Sequence, residues 1–521
     1  MRVRRRLVAT LVAALAVTAG TARAAVREVG PGQTYATPCA AIMAAQPNDE
    51  IDIAAGTYID SCEIPVAGLT LKGVGGQPKI DLSGTDHPSG YKGIYVVSAD
   101  DVRIENLELT GAHVDDSEGG NAAGIRVTGH GLVVHGCNIH DNQNGILAAP
   151  VVDGGTITIE YTELSHNGLG DACVQGGCVH NVYISKNGAV RYDRTIFQFN
   201  WSHDLASDTP DKGHLFKSRS RETDVLYNRI TGETGHDSYE VDIPNAGLGL
   251  VVGNVIEKGT DPDNSILLAY GEEGIDSGQQ TALYVVNNTF VNDFTKGTFV
   301  QVAAGATLTA HDNLFVGPGT PSSTGALSAD NLSGQDPRFV NPSMFDYHLA
   351  AGSPAIGKGV AQGTAGAFSL TPAFEYVHPL LAVARATAHD LGAFEFGTST
   401  TGAGTDAGAG ADSGAGTGAD SGAGADADAS AGAGADSGAG ADSGGSGGSS
   451  SGGAAGDGGS VGNGASDDGG GCGCRAAGSR GSRGAAFVAI GLALAAAQLR
   501  RRRRQDQRRS VRHDDDHDSL P

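Results

Sequence analysis

Three short stretches, DVLYNRIT (224–231), LVVGNVIE (250–257) and LYVVNNTFV (283–291), carry the pattern on which the fold depends. In each, apolar and polar residues tend to alternate, and an asparagine is followed two positions later by an isoleucine or a phenylalanine. Alternation of this kind is typical of a β-strand with one buried face. The pattern therefore predicts short strands that repeat one structural unit.

The same pattern recurs between residues 102 and 316, with the marker positions 25 to 34 residues apart. A drifting period in this range, without helical segments of matching length, predicts a parallel β-helix with insertions at its turns. A β-propeller is the alternative repeat fold, but it needs four strands per blade and a longer period. Asparagine at several markers predicts a ladder of side-chain amide hydrogen bonds along the stack. The markers are Asn106, Cys137, Thr162, Thr195, Asn228, Asn254, Asn288 and Asn313.

Residues 25–397 are predicted to form this all-β domain, a single-stranded right-handed parallel β-helix. The stretch CAAIMAAQPNDE (39–50) predicts a short amphipathic helix that caps the exposed N-terminal edge. The stretch DEIDIAAGTYIDSCEIPVAGLTLKGVGGQPKIDL (49–82) resembles the first coil of the pectate-lyase-like superfamily. DPRFVNPSMFDYHLAAGSPAIGKG (336–359) and HDLGAFEF (389–396) resemble the closing segment of many bacterial extracellular β-helices. The resemblance implies the fold and leaves the substrate open.

The N-terminus predicts export. Residues 1–24 have a basic start, an apolar middle and a small-residue end, the pattern of a cleaved secretory signal peptide. A retained anchor helix is the alternative reading.

The C-terminal region predicts attachment to the cell surface. Residues 398–471 are rich in Gly, Ala, Ser and Asp and are predicted to be a disordered tether, with a calcium-binding repeat as the alternative. Residues 472–504 contain Cys472 and Cys474, an apolar run (484–499) and an arginine cluster, and a charged tail (505–521) follows. This order resembles myxobacterial sorting signals and implies processing near the cysteines and anchoring in the cell envelope, with or without later release. The alternative is a plain short membrane helix.

The seven cysteines of an exported chain predict disulfides rather than a metal site. Cys173 and Cys178 are one candidate pair, and Cys39 and Cys62 are a second. Cys137 is expected to be a small buried residue of a strand.

The formal net charge of −24 makes nucleic acid an unexpected partner. A local exception is the run GHLFKSRSRETDVLYNRI (213–230), in which Lys217, Arg219 and Arg221 alternate with other residues. A basic run in an acidic chain suggests a binding place for an acidic ligand.

Four segments align around this run as successive coils of one sheet: HNVYIS (180–185), HLFKSR (214–219), YEVDIP (239–244) and ILLAYG (266–271). The third residue of each is apolar and is predicted to face inward, so alternation predicts that the second and fourth face outward. The second-position row is Asn181, Leu215, Glu240 and Leu267, and the fourth-position row is Tyr183, Lys217, Asp242 and Ala269. Lys217 is therefore predicted to stand between Tyr183 and Asp242.

These rows predict a groove for an acidic polysaccharide. Cleavage of a uronic-acid polymer by elimination requires neutralisation of the carboxylate, abstraction of the C5 proton and protonation of the glycosidic oxygen. Candidate catalytic residues are Lys217, Arg219, Tyr183, His214 and His180. Candidate substrate-binding residues are Asn181, Glu240, Asp242 and Trp201, of which Glu240 and Asp242 are also possible calcium ligands. His203, Asp208, Asp211 and His236 are predicted to wall the groove.

The piece FKSRSRETDVLYNRI (216–230) resembles β-helix lyases of the chondroitinase B and alginate lyase type, which implies that Lys217 is the base. This chain has YEVDI (239–243) where those enzymes carry an arginine, and TPDKG (209–213) where they carry acidic residues before the lysine. Their acid and calcium assignments therefore do not transfer, and Arg219 is a substitute by position only.

Three kinds of function remain open at this point. The chain is a lyase-type enzyme, a non-catalytic glycan-binding protein, or a structural or adhesive surface protein, in each case expected as a monomer. The same rows also suit an ordinary solvated sheet face.

Overall fold

The computed structural model describes residues 24–84, 92–115, 120–168, 179–206, 213–233, 236–387 and 389–398. The candidate pair Cys173 and Cys178 and the groove residues Asp208 and Asp211 lie outside these ranges, as do the signal peptide up to residue 23, nearly all of the tether and the whole sorting segment with Cys472 and Cys474. Within the described ranges, no helix is both long and apolar enough to cross a membrane.

The described chain winds through three parallel sheets in a fixed order, so that each coil contributes one strand to each sheet. Sheet 1 contains Val26–Val29, Glu50–Ala54, Thr70–Val74, Arg103–Glu105, Leu132–His135, Thr156–Glu160, Arg194–Gln198, Glu222–Leu226, Leu248–Val252, Ala282–Val286 and Thr307–His311. Sheet 2 contains Thr57–Tyr58, Lys79–Asp81, Glu108–Thr110, Asn138–His140, Glu163–Ser165, Trp201–His203, Arg229–Thr231, Val255–Lys258, Thr289–Asn292, Leu314–Val316 and Leu332–Ser333. Sheet 3 contains Cys62–Ile64, Gly93–Val97, Ala123–Val127, Asn144–Ala148, His180–Ile184, Phe216–Ser218, Val241–Ile243, Ile266–Tyr270, Thr298–Val302 and Thr320–Ser322. This is the predicted parallel β-helix.

The core is the interior of the coils. Aliphatic and aromatic residues at alternate strand positions point inward and stack on the equivalent residue of the next coil, as Phe216, Val241 and Leu268 do on sheet 3. Because every coil buries its inner residues against its neighbours, the repeat seen in the sequence becomes one continuous core.

An asparagine ladder runs along the turn between sheets 1 and 2. Asn254, for example, accepts hydrogen bonds from the backbone N–H and the side-chain amide of Asn228 at 2.8 and 3.0 Å, and it donates to Val225 O. The ladder consists of Asn200, Asn228, Asn254, Asn288, Asn313 and Asn331. The predicted ladder is confirmed, with two markers wrong. Asn106 lies one residue before the ladder position, which Leu107 holds on that coil, and its amide donates to Gly73 O and Gly76 O instead.

The second wrong marker is Thr195, which lies within the strand Arg194–Gln198 and contacts Ser220 through its hydroxyl. Asn200, five residues later, holds the ladder position on that coil. The strand has five residues, as its neighbours Thr156–Glu160 and Glu222–Leu226 do, so the marker was placed inside the strand instead of at the turn after it. Cys137 is buried and unpaired as expected, but it lies in the turn rather than in a strand.

A short α-helix, Pro38–Ala44, packs Ala41 and Ile42 into the core beside the first coil. Thr37 caps its N-terminus, and Cys39 forms a disulfide bond with Cys62. The role of this helix as a cap against pairing with another chain stays a prediction.

The segment that follows the last coil folds back over the outside of the β-helix. It contains the strand pairs Phe339–Asn341 with Asp346–Leu349, Thr364–Ala365 with Phe368–Ser369, and Phe374–Val377 with Leu381–Ala384, and a 3-10 helix, Pro342–Met344. Ala365 and Leu370 pack on outward residues of sheet 1, and Tyr347 and Phe394 pack on those of sheet 2. The outer faces of these two sheets are therefore partly covered by the chain itself.

Candidate functional site

The predicted register of sheet 3 is confirmed. Tyr183 pairs with Lys217, Lys217 with Asp242, and Asp242 with Ala269, on four consecutive strands. Their neighbours Phe216 and Val241 belong to the core, so the fourth-position row emerges on the outer face of the sheet, as alternation requires.

Lys217 lies at the centre of a buried network of ion pairs and hydrogen bonds. Its Nζ atom is 2.9 Å from Asp242 Oδ2 and 2.8 Å from Glu273 Oε1, and His214 Nε2 is 3.4 Å away. Only 2 % of the lysine is exposed. A lysine this deeply buried is charged only because two carboxylates compensate for its lost hydration.

Arg219 shares one of these carboxylates. Its Nη2 atom donates to Glu273 Oε2 at 2.6 Å, its Nε atom donates to Tyr183 Oη at 2.8 Å, and Nη1 donates to Asn245 Oδ1. Both Lys217 and Arg219 also lie 5.6 Å from the centre of the Tyr183 ring. Two cations therefore converge on the single carboxylate of Glu273, one on each oxygen.

Sequence reasoning missed Glu273. It lies on a loop after the strand Ile266–Tyr270, and we call residues 271–278 the acidic loop. Ala269 occupies the row position beside Asp242 with only a methyl group, and Glu273 reaches Lys217 from the loop. The acidic residues between glycines in GEEGIDSG (271–278) were a visible signal in the sequence. The contact between Glu273 and Lys217 could not be inferred from it, because the two residues are 56 positions apart in the sequence.

The acidic loop makes a second, parallel contact. Asp276 pairs with Lys186 and with Arg191 Nη2, the latter at 2.7 Å. We call Lys186, Arg191, Lys217 and Arg219 the basic strip; it lies along sheet 3 and the turn that leads to sheet 1. Each pair of cations in the basic strip is thus neutralised by one carboxylate of the acidic loop.

Several hydrogen bonds to residues 243–245 hold the acidic loop in place, among them Gly271 N to Ile243 O at 2.9 Å. Glu273 N donates to Pro244 O at 3.0 Å, and the Asn245 side chain donates to Gly274 O at 3.1 Å. Gly274 has a left-handed backbone with φ of +95° and no heavy atom near its missing side chain. Glycine adopts this conformation freely, so the acidic loop turns sharply at an open surface position.

The two candidate catalytic histidines pack beside Lys217. His214 N donates to His180 Nδ1 at 3.1 Å, and the two rings lie 5.0 Å apart. His214 Nε2 is 3.4 Å from Asp242 Oδ2. Burial, with a smaller contribution from the Lys217 charge, lowers the pKa of His214 well below its usual value. Its imidazole is therefore neutral at physiological pH.

The charges of the ion network determine the protonation state of Lys217. Burial by itself lowers the pKa of Lys217, but Asp242 and Glu273 outweigh it and raise that pKa to about 12. Burial raises the pKa of Glu273, yet Lys217 and Arg219 more than reverse this and leave it below its usual value. In this arrangement Lys217 is protonated, which suits a cation or a proton donor, and its role as the base stays a prediction from the lyase resemblance.

The second-position row does not face outward, which was predicted wrongly. Asn181, Leu215, Glu240 and Leu267 are all fully buried. The Asn181 amide donates to Leu164 O and His203 O at the end of sheet 2, and Glu240 contacts Lys258 of sheet 2. The strand that carries Asp242 begins only at Val241, so residue 240 lies in a bend where two-residue alternation no longer applies.

This correction removes Asn181 and Glu240 from the groove. Glu240 and Asp242 face different partners, Lys258 and Lys217 respectively, and do not form a joint calcium site. Within the described part of the chain, no group of three or more His, Cys, Asp or Glu side chains is placed to hold a metal ion.

Trp201 and His203 also lie elsewhere. Both belong to a strand of sheet 2 rather than to an insertion, and their rings stack on each other with centres 3.8 Å apart. His378 of the C-terminal segment and the Arg229 guanidinium contact the Trp201 ring as well. His236 lies 4.0 Å from Asp261. Trp201 is therefore a packing residue beneath the C-terminal segment, away from Lys217.

A cavity of about 230 Å³ lies at this contact, lined by Arg229, Tyr347, Tyr376, His378 and Phe394 among others. Close to it, Tyr347 Oη donates to Glu257 Oε2 at 2.8 Å. Burial raises the pKa of Glu257 to about 8, although the hydrogen bond from Tyr347 opposes this. A carboxyl group that is normally ionised is thus held protonated up to neutral pH.

We expect this group to make stability pH-dependent. The folded-state pKa of about 8 is above the usual glutamate value of 4.5, so unfolding releases a proton and the folded state weakens as pH rises between these values. Because one pKa unit corresponds to about 1.4 kcal/mol, the free energy of unfolding falls by on the order of a few kcal/mol by pH 8.

Urea unfolding of the wild type and Glu257→Gln across this pH range measures the decline in the free energy of unfolding. Other buried carboxyl groups with raised pKa values, such as Glu240, contribute to the decline in both proteins, so Glu257→Gln should show a smaller decline than the wild type. The exposed-site control Glu28→Gln should keep the full decline, and identical profiles for Glu257→Gln and the wild type would refute the assignment.

Comparisons with known proteins agree with the architecture. Residues 123–333 match the family profile described as "Right handed beta helix region". No curated protein sequence matches the chain.

Among solved structures, pectate lyase Pel9A aligns at 14 % identity and a TM-score of 0.44, over 72 % of this chain and 96 % of that one. The alginate lyase from Paenibacillus sp. str. FPU-7 aligns at 16 % and 0.31, over 56 % and 95 %. The pectin methylesterase from Aspergillus niger aligns at 14 % and 0.30, over 60 % and 90 %. At such values, similarity to these structures assigns neither a substrate nor an activity, and the chain is described by its architecture, a right-handed parallel β-helix.

Proposed function

We propose that this protein binds an acidic polysaccharide through the basic strip on sheet 3. One observation carries the proposal: Lys217 and Arg219 hold the two oxygens of the Glu273 carboxylate at 2.8 and 2.6 Å. This is a carboxylate-binding arrangement built from buried cations. A uronic-acid carboxylate has the same chemistry as the glutamate side chain, so it can take the place of Glu273 when the acidic loop moves away.

The length of the basic strip fits a polymer better than a single sugar. Asp276 pairs with Lys186 and Arg191 through the single oxygen Oδ2, so displacement of the acidic loop frees a second pair of cations beside Lys217 and Arg219. Successive uronic-acid units present such carboxylates at regular spacing. Export, a surface tether and envelope anchoring, as read from residues 1–24 and 398–504, belong to this proposal, because they would place the basic strip outside the cell.

Glu273 provides the test. In Glu273→Gln the carboxylate that competes with the polysaccharide for Lys217 and Arg219 is removed. The arrangement that can bind is therefore more populated, and the apparent Kd for the polysaccharide falls. The decrease is about tenfold if Glu273 occupies the site most of the time. Titration calorimetry with polygalacturonate, alginate and hyaluronan measures this, with neutral dextran as the ligand control. Glu272→Gln, at the exposed neighbouring position, is the matched variant and should bind as the wild type does. Absence of binding to all three polymers by both the wild type and Glu273→Gln would refute the proposal.

Lyase-type elimination at the same site is the second candidate function. The observation that favours it is the neutral imidazole of His214 beside the protonated Lys217. His214 can accept the C5 proton, Lys217 or Tyr183 can protonate the glycosidic oxygen, and Arg219 can neutralise the carboxylate. Ultraviolet absorbance of unsaturated ends during incubation with the same polymers separates cleavage from binding. Binding without any absorbance change leaves the non-catalytic function.

A further inference from the structure

The ion cluster that Glu240 joins lies inside the β-helix, at the corner between sheets 2 and 3. Lys258 Nζ lies 3.2 Å from Asp237 Oδ2 and 3.0 Å from Glu240 Oε1, and it also donates to the Ser238 carbonyl. The side chains of Lys258, Asp237 and Glu240 are all 0 % exposed. None of the three takes part in the basic strip.

The surrounding chain is built to accommodate these charges. Glu240 takes the row position that Leu215 and Leu267, both fully buried, take on the coils before and after it. A side-chain carbon at Gly232 would come within 2.2 Å of Asp237 Oδ1, so glycine at that position leaves the space that the aspartate occupies. Charged groups thus occupy positions where apolar groups would fit, although removing charged groups from water costs considerable free energy.

The carboxyl groups are also incompletely hydrogen-bonded. Among the described residues, Asp237 Oδ1 and Glu240 Oε2 have no hydrogen-bond partner. Buried polar atoms normally find one, and exceptions often mark a chemical role. An amine in contact with two fully buried carboxyl groups is the arrangement from which an amide can form.

We propose that Lys258 and Asp237 condense to an intramolecular isopeptide bond, with Glu240 transferring the protons. Lys258 first gives a proton to Asp237, which turns the ion pair into a neutral amine and a neutral carboxylic acid. The amine nitrogen attacks Cγ of Asp237 and forms the new C–N bond. Glu240 protonates the departing hydroxyl group and takes the proton from the nitrogen, and the C–O bond breaks. The ammonium and the carboxylate become one amide and one water molecule, and no oxidant, cofactor or activated reagent is needed.

Two physical features favour this step. Burial raises the pKa of Glu240 well above its usual value, so its carboxyl group carries the proton that the leaving oxygen requires. The contacts hold the Lys258 amine 3.2 Å from an oxygen of the Asp237 carboxyl group, and both side chains are fully buried. Condensation also replaces a buried ion pair by a neutral amide.

The bond would connect the end of the strand Val255–Lys258 on one coil to the segment that leads into Val241–Ile243 on the coil before. That second strand carries Asp242, the partner of Lys217 in the basic strip. The crosslink would therefore clamp the strand that supports the candidate binding site.

Peptide mass spectrometry of the purified, denatured full chain after trypsin digestion tests the bond directly. An isopeptide at Lys258 blocks cleavage there, so we expect a peptide spanning 230–296 that is lighter than its unmodified mass by about 18 Da, the mass of water. Separate peptides 230–258 and 259–296 of unmodified mass would overturn the proposal, whatever the behaviour of any variant.

Three variants examine the chemistry. Asp237→Asn should lose ammonia instead of water, a deficit of about 17 Da. Glu240→Gln keeps the shape but cannot exchange the proton, so it should give the unmodified peptides. The matched control is Glu257→Gln, one residue from Lys258 but facing Tyr347 outside the coil, which should retain the crosslink. A crosslink in Glu240→Gln at the wild-type yield would remove Glu240 from the mechanism.

Discussion

Arg219→Ala is expected to weaken binding of polygalacturonate or alginate by about 30-fold or more. The guanidinium is held by Tyr183, Asn245 and Glu273, so its direction toward a carboxylate is set before a ligand arrives. Removing one partner of a buried, hydrogen-bonded charge pair typically costs about 2–5 kcal/mol, which corresponds to this loss of affinity or a larger one. Titration calorimetry at fixed ionic strength measures the effect, because the affinity of a polyanion depends on salt.

Arg221→Ala provides the matched control, two residues along the same chain. Arg221 pairs with Asp153 and Asp193 in exposed surroundings. Exposed ion pairs of this kind contribute little, so its loss should change the affinity less than threefold or so. Circular dichroism and unfolding midpoints establish that both variants are folded. Equal affinity of Arg219→Ala and the wild type would place the binding site elsewhere.

The second large effect is expected from Asp242→Ala, in stability. Asp242 Oδ2 lies 2.9 Å from Lys217 Nζ, and both side chains are 2 % exposed. Without the aspartate the buried ammonium keeps only Glu273, which is itself shared with Arg219. Breaking one side of a buried ion pair typically costs about 3–5 kcal/mol. Urea unfolding measures the change in the free energy of unfolding.

The double variant Lys217→Met, Asp242→Ala distinguishes charge from packing. Removing both members of the pair leaves no isolated charge, so the double variant should be more stable than Asp242→Ala alone. Asp193→Ala removes a carboxylate from an exposed pair and should change stability by less than about 0.5 kcal/mol. A double variant as unstable as the single one would mean that packing, and not the unpaired lysine, governs the loss.

The periodic pattern of apolar residues was sufficient to predict the parallel β-helix and the register of Tyr183, Lys217 and Asp242. Inward positions such as Phe216 and Val241 must meet the same core on every coil, and a shift by one residue would expose them. Register therefore follows from local alternation and repeat length, which are both visible in the sequence. The ladder asparagines follow from the same constraint, because one turn geometry recurs on each coil.

Alternation failed where the chain leaves the regular strand. Glu240 lies in a bend just before its strand and turns inward to Lys258, and Trp201 lies on a strand of sheet 2 that the C-terminal segment covers. Glu240 could not be assigned from spacing, because a two-residue period holds only within a hydrogen-bonded strand. Trp201 does lie within a strand, and its surroundings depend on the C-terminal segment that packs over it.

The sequence by itself determined the coil, its repeat and the basic residues that emerge on sheet 3, since each depends on contacts between equivalent positions of neighbouring coils. Only the tertiary structure decided that Glu273 and Asp276 close over those residues, and that Lys258 meets Asp237 inside the tube. Such contacts join a loop or a strand end to residues 20 to 90 positions away. Their geometry depends on how insertions of irregular length fold back, and no repeat period encodes it.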